Sequence, residues 1–126
     1  MFLTEKEILD TPNALEKTCK LFRDKQAEVA AFFQKNTQRK FTFLGCGSSY
    51  MLAKSAAAVF SAVPNTTASA IPAGDYIVNQ RFWEEAAKGS IVVSISRSGR
   101  TSELVRAVKH IKESWGCPVV SLSMED

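Results

Sequence analysis

The sequence predicts an α/β fold, a three-layer sandwich around a flavodoxin-like parallel sheet of order 2-1-3-4, preceded by a helical extension. Three observations lead there. From Phe41 onward, strand-like runs alternate with helical ones, the pattern that builds parallel sheets through right-handed crossovers. The run Ser90-Ile91-Val92-Val93-Ser94-Ile95-Ser96 is rich in β-branched residues, as a strand covered on both faces should be. Two of the strand-like runs also feed glycine- and serine-bearing loops that open helices.

The elements follow in order. Thr4 with Glu7 predicts a capping box for a short first helix, and Thr11-Pro12 an N-cap and N1 proline for a second. Leu15, Cys19, Phe22, Val29 and Phe33 recur at spacings of three, four or seven, which marks one apolar face of a long helix. Gln26 interrupts that stripe. The polar stretch Asn36-Thr37-Gln38-Arg39-Lys40 ends the helix and separates N-terminal helices over 1–36 from a core over 37–126. Phe41 to Leu44 is a short strand, and a helix rich in small residues follows from about Tyr50 to Ala62. Thr66 to Ile71 is a second strand, stopped by Pro72. Asp75 to Lys88 is expected to be helical, although its periodicity is poor. After the strand over Ser90–Ser96, Thr101 or Ser102 caps a helix whose Leu104, Val108, Ile111 and Trp115 line one face, and Gly116 closes it. Pro118 leads into a fourth strand, Val119 to Ser123. The sequence ends three residues later with no fifth strand, so it reads as an N-terminal fragment of a larger fold.

Composition narrows the function classes. At 126 residues the chain can bury a core without disulfides or metals. Its net charge of +3 comes from basic residues scattered among acids, without the basic stripe a nucleic-acid binder shows. Cys19, Cys46 and Cys117 are odd in number and lack metal-ligand spacing, which fits a reducing, cytoplasmic setting. No leader-like segment opens the chain and no apolar run is long enough to span a bilayer, so no membrane partner is expected.

The chemistry concentrates in two loops. Gly45-Cys46-Gly47-Ser48-Ser49 follows the first strand, and Ser96-Arg97-Ser98-Gly99-Arg100-Thr101 follows the third. Each stands at the carboxyl end of a strand and opens a helix, where free N–H groups and the helix dipole favour an anion. Glycine permits close backbone approach, and hydroxyls add donors suited to phosphate oxygens. In order 2-1-3-4 the first and third strands are neighbours whose crossovers leave in opposite directions, and ligands bind at such switch points. Each loop alone is a weak signal, and the serines could be ordinary turn and cap residues. The pair on adjacent strands is a stronger signal.

These segments, Leu44-Gly45-Cys46-Gly47-Ser48-Ser49-Tyr50 and Ile95-Ser96-Arg97-Ser98-Gly99-Arg100-Thr101, resemble the two phosphosugar-binding signatures of the SIS (sugar isomerase) domain family. The likeness is greatest to the isomerase half of glucosamine-6-phosphate synthase and its isomerase and deaminase relatives. Glu7-Ile8, Thr11-Pro12 and Leu15 also resemble the helix that opens that group. The resemblance implies that Ser49, Ser96, Ser98 and Thr101 contact a sugar phosphate, while Gly47, Ser48, Arg97 and Gly99 shape the loops. It implies a homodimer, no metal or organic cofactor, and acid–base residues beyond residue 126 or in a partner subunit. Arg97 stands where the synthase usually has glutamine, and Arg100 where many relatives have glutamate or asparagine, so the sugar is left open. The implied function is sugar-phosphate binding within an aldose–ketose or amino-sugar phosphate isomerase or deaminase. A non-catalytic sugar-phosphate sensor using the same loops is the alternative.

Other candidates read as structural. The dinucleotide fingerprint fails because its third glycine is Tyr50 here and the second strand ends without an acidic residue. Cys46 opens a helix, where a thiolate is favoured, but the only histidine, His110, lies roughly 12 Å along a later helix at ~1.5 Å per residue. Cys46 is therefore expected to pack, and His110 to sit at a boundary. Glu103 is expected to support its helix N-terminus. Asp75, Glu84 and Glu85 carry no catalytic signal.

Overall fold

The computed structural model describes residues 2–124. The chain divides into two compact units, Met1–Thr37 and Gln38–Asp126. The first holds two helices, α1 (Leu3–Asp24) and α2 (Gln26–Lys35), neither of which buries a residue. The expected break at Thr11-Pro12 does not occur. Pro12 lies inside α1, and the Thr11 hydroxyl donates to the Glu7 carbonyl at 3.2 Å instead of capping a new helix. Breaking the helix there would leave up to four N–H and four C=O groups without partners, whereas proline removes one bond. The expected capping box is also absent, because the N-cap residue is Phe2 and Thr4 lies within the helix. The interruption falls at Lys25 (φ −91°, ψ 1°), beside the polar Gln26.

The second unit is a four-stranded parallel sheet of order β2-β1-β3-β4, built from β1 (Lys40–Gly45), β2 (Thr67–Pro72), β3 (Ile91–Ile95) and β4 (Val119–Leu122). The flavodoxin-like order expected from the sequence is the order found. Alternation along β1 sends its side chains to two layers. Phe41 and Phe43 meet Phe60 of α3 (Ser48–Ser61), with ring centroids 4.8 and 5.0 Å apart. Leu44 joins the opposite cluster with Ile71, Tyr76, Val92, Leu104 and Ile111. Thr42 is buried on that side too, and its hydroxyl donates to the Ala86 carbonyl at 2.8 Å, which removes the cost of burying it.

Three helices cover that second face: α4 (Ala73–Val78), α5 (Gln80–Ala87) and α6 (Ser102–Trp115). The single helix expected over Asp75–Lys88 is thus two short ones meeting at Asn79. The weak periodicity of that stretch reflects the change of direction. Asp75 fixes the corner, accepting from the Asn79 side chain at 2.7 Å and from the Trp83 indole at 2.6 Å. The face of α6 is the expected one, with Leu104 and Ile111 buried and Val108 and Trp115 half-buried against the core. Gly116 ends it at φ 60°, a conformation that favours glycine.

Candidate phosphate-binding site at the switch point

Strands β1 and β3 pair in parallel with Leu44 opposite Ser94. The two loops therefore leave the same edge of the sheet from adjacent strands. At the first loop, Gly45 is required by close approach: a Cβ there would stand 2.6 Å from the Ser49 carbonyl carbon and oxygen. Gly47, the N-cap of α3, adopts φ 54° and ψ −125°, a conformation that L side chains rarely take. The Ser49 and Tyr50 amides are used locally, donating to the Cys46 and Gly47 carbonyls at 3.1 Å each. Among the described residues no acceptor takes the amides of Gly47 or Ser48. Ser48 is exposed and Ser49 half-buried.

The second loop is held by its own hydroxyls. Ser96 is buried, and its Oγ accepts the Gly99 N–H at 3.1 Å and lies 3.2 Å from Thr101 Oγ1. Ser98 Oγ accepts the Arg100 N–H at 3.2 Å. Thr101 is the N-cap of α6, but its hydroxyl turns to Ser96 and caps nothing. One hydroxyl proton bridges the Ser96–Thr101 pair, which leaves the other available to an external acceptor. The Ser98 proton is likewise not needed for the bond Ser98 accepts. The start of this loop is stitched to the end of β4 and the residues after it, with the Ser96 N–H on the Leu122 carbonyl and the Met124 N–H on the Arg97 carbonyl, both at 3.1 Å. Arg97 and Arg100 are exposed.

A third element was not legible in the sequence as part of this edge. The register places Gly45 opposite Pro72, so α4 begins beside the first loop. The run Pro72-Ala73-Gly74 was the available signal. Cys46 meets this corner. Burial pushes its thiol up, the Glu103 carboxylate adds to the shift, and the Gly74 and Ala73 amides oppose it only in part. Desolvation thus outweighs the helix-start effect, and Cys46 packs against the core as a neutral thiol. Glu103 lies in the first turn of α6, its Cγ 4.0 Å from where a Cβ on Gly74 would stand. His110 is half-buried, its Nδ1 2.8 Å from the Tyr76 hydroxyl.

A well-defined concavity lies elsewhere. A groove of about 620 Å³ runs between α6 and the β3–β4 edge, lined among others by Ser94, Val105, Lys109, Lys112 and Ser121. None of the serine-loop residues lines it, so it is not a site these loops serve.

Fold and loops together define a doubly wound α/β domain whose chemistry-bearing residues gather at its topological switch point. The chain belongs to the SIS domain family, whose model matches residues 36–124. No curated protein matches it significantly in sequence. Solved structures share the fold. Tagatose-6-phosphate ketose/aldose isomerase from Escherichia coli superposes with a TM-score of 0.82 at 21% identity, covering 97% of this chain and 34% of that one. A putative tagatose-6-phosphate ketose/aldose isomerase from Clostridium novyi gives 0.75 at 21% identity, covering 95% and 31%. Phosphoheptose isomerase from Neisseria gonorrhoeae gives 0.64 at 18% identity, covering 95% and 73%. The chain spans about a third of the length of the two tagatose-6-phosphate isomerases.

Proposed function

We propose that this chain binds the phosphate of a phosphorylated sugar between Gly47-Ser48-Ser49 and Ser96-Arg97-Ser98-Gly99-Arg100-Thr101, as part of an aldose–ketose or amino-sugar phosphate isomerase or deaminase. The observation that carries this reading is the pairing of two hydroxyl-bearing loops at the carboxyl ends of the adjacent strands β1 and β3. The free amides of Gly47 and Ser48, the spare proton of the Ser96–Thr101 pair and the Ser98 hydroxyl supply donors to one anion. SIS membership and the phosphosugar isomerases among the structural neighbours support the same chemistry. In such isomerases a base takes a proton beside a carbonyl and returns it to the next carbon, and phosphate binding orients the reacting carbons.

The domain responsible for this binding is proposed to be residues 37–126, following helices over 1–36. Three free thiols support a reducing, cytoplasmic setting. The protein is proposed to act as a homodimer. Residues 1–126 alone are proposed not to catalyse isomerisation, since His110 is engaged by Tyr76, and Asp75 by Trp83 and Asn79.

Calorimetry with a sugar phosphate and its unphosphorylated sugar tests the site. Phosphate-dependent binding is expected. Ser98→Ala should weaken it roughly tenfold or more, since a hydrogen bond to a charged group contributes about 1.5–3 kcal/mol. Equal affinity for the two ligands, or no loss in both Ser98→Ala and Thr101→Ala, would show that the loops do not hold the phosphate.

A further inference from the structure

The two helices that flank the site edge are tied by a buried polar contact. α4 starts beside the first loop, since Gly45 pairs with Pro72, and α6 starts where the second loop ends, with Thr101 as its N-cap. Tyr76 of α4 is fully buried, and its hydroxyl lies 2.8 Å from Nδ1 of the half-buried His110 on α6. Among the described residues this is the one hydrogen bond between α4 and α6. Around it the packing is apolar, through Leu104, Ala107, Ile111 and Trp115, whose ring stands edge-on to both Tyr76 and His110. Apolar burial has no direction, so by itself it lets α6 settle along α4 at little cost. A hydrogen bond has a set length and angle and removes that freedom. The phenol donates and Nδ1 accepts, because the reverse would leave the buried phenol proton with no acceptor among the described residues. His110 therefore carries its own proton on Nε2.

We propose that Tyr76 and His110 are positioning residues for the phosphate cradle, acting through Thr101; this rests on the phosphate site proposed above. α4 is the fixed post. It follows β2 directly, and Asp75 ties it to the Trp83 indole of α5 at 2.6 Å. Ser96 is fixed from the sheet, with its N–H on the Leu122 carbonyl. Thr101, in contrast, goes where α6 goes. The Ser96–Thr101 contact of 3.2 Å is therefore a joint between sheet and helix. The spare proton that this pair offers an anion is aimed by the seat of α6. His110 lies roughly 12 Å from the start of α6 at ~1.5 Å per residue, and a packed helix carries an axial shift over that length as a rigid element.

His110 is the only histidine of the chain, so nitrogen NMR of the labelled full chain reads its ring alone. The ring should show the Nε2–H tautomer, and saturating inorganic phosphate should shift its signals, because coupling between two sites is reciprocal. Phosphate affinity, followed at the backbone amides in the same titration, should fall on the order of threefold to tenfold in Tyr76→Phe and in His110→Ala. The double variant should fall no further, since either change removes the same bond. His110→Asn keeps an acceptor at the Nδ1 position and should restore most of the affinity, which a role in packing alone would not produce. A wild type that binds no phosphate would overturn the site itself and this proposal with it. Phosphate binding that Ser98→Ala weakens, but that is indifferent to either Tyr76→Phe or His110→Ala, would leave the site standing and overturn the positioning role. So would a His110→Asn variant as weak as His110→Ala, or His110 signals that ignore phosphate. The last measurement uses the wild type alone and decides the matter even where a variant fails to fold.

Discussion

The two serine-bearing loops occupy equivalent places on β1 and β3, yet they are built by different physics. The first is shaped by what glycine lacks: Gly45 allows the start of α3 to press against the end of β1, and Gly47 turns the backbone into the helix. Its hydroxyls take no part in that shape. The second is shaped by its hydroxyls, with Ser96 and Ser98 holding the amides of Gly99 and Arg100. Identical residue types therefore have different duties. A serine in the first loop is free for a ligand, while a serine in the second is also part of the scaffold.

The sharpest way to break the comparison is Gly45→Ala. The new Cβ would meet backbone atoms 2.6–2.7 Å away, and backbone cannot yield as a flexible side chain can. Thermal unfolding should show a loss of about 3 kcal/mol or more, the upper end of overpacking costs. A loss under about 1 kcal/mol would mean the first loop is not set by sterics.

The next effect falls on the second loop's side of the sheet. Tyr76 of α4 is fully buried and bonds His110 on α6, the helix that the second loop opens. Burial is the main reason its phenol is pushed up to about 12. A raised phenol pKa means the folded state prefers the neutral form. The stabilisation is complete below the unfolded value of about 10 and disappears as pH rises toward 12. Denaturant titrations should lose on the order of 2–3 kcal/mol across that window. The loss should be smaller in Tyr76→Phe, which has no phenol to ionise. An identical alkaline loss in Tyr76→Phe would assign it to other groups.

The smaller effects separate the loops serine by serine. Ser96→Ala removes the acceptor for the Gly99 amide and should cost about 1 kcal/mol of stability as well as ligand affinity. Ser49→Ala should weaken sugar-phosphate binding yet leave stability within about 0.5 kcal/mol. Ser48→Ala should change either quantity least. If Ser49→Ala destabilised the fold as much as Ser96→Ala does, the division between a scaffold loop and a free loop would fail.

Much of this molecule is written locally. The β-branched run at Ser90–Ser96, the switch from helical to alternating patterns at Phe41, and Gly116 after the last apolar turn of α6 identify strands, order and helix end without any tertiary information. Both loops are visible because glycines and hydroxyls cluster at strand-to-helix junctions. Capping and breaking signals were less dependable. Thr11-Pro12 looks like a helix start, but helix cooperativity carries α1 through it. Asp75–Lys88 looks like one helix, but it bends where Asp75 draws in Asn79 and Trp83.

What the sequence alone determined, then, is the order of elements, the parallel sheet and the residue types at its switch point, because period and turn chemistry act over a few neighbouring residues. The tertiary structure decided which hydroxyls are already spent, that Cys46 stays protonated beside Glu103, and that Pro72-Ala73-Gly74 joins the same edge. Those outcomes depend on strand register and on desolvation by segments distant in sequence, and no local pattern encodes either.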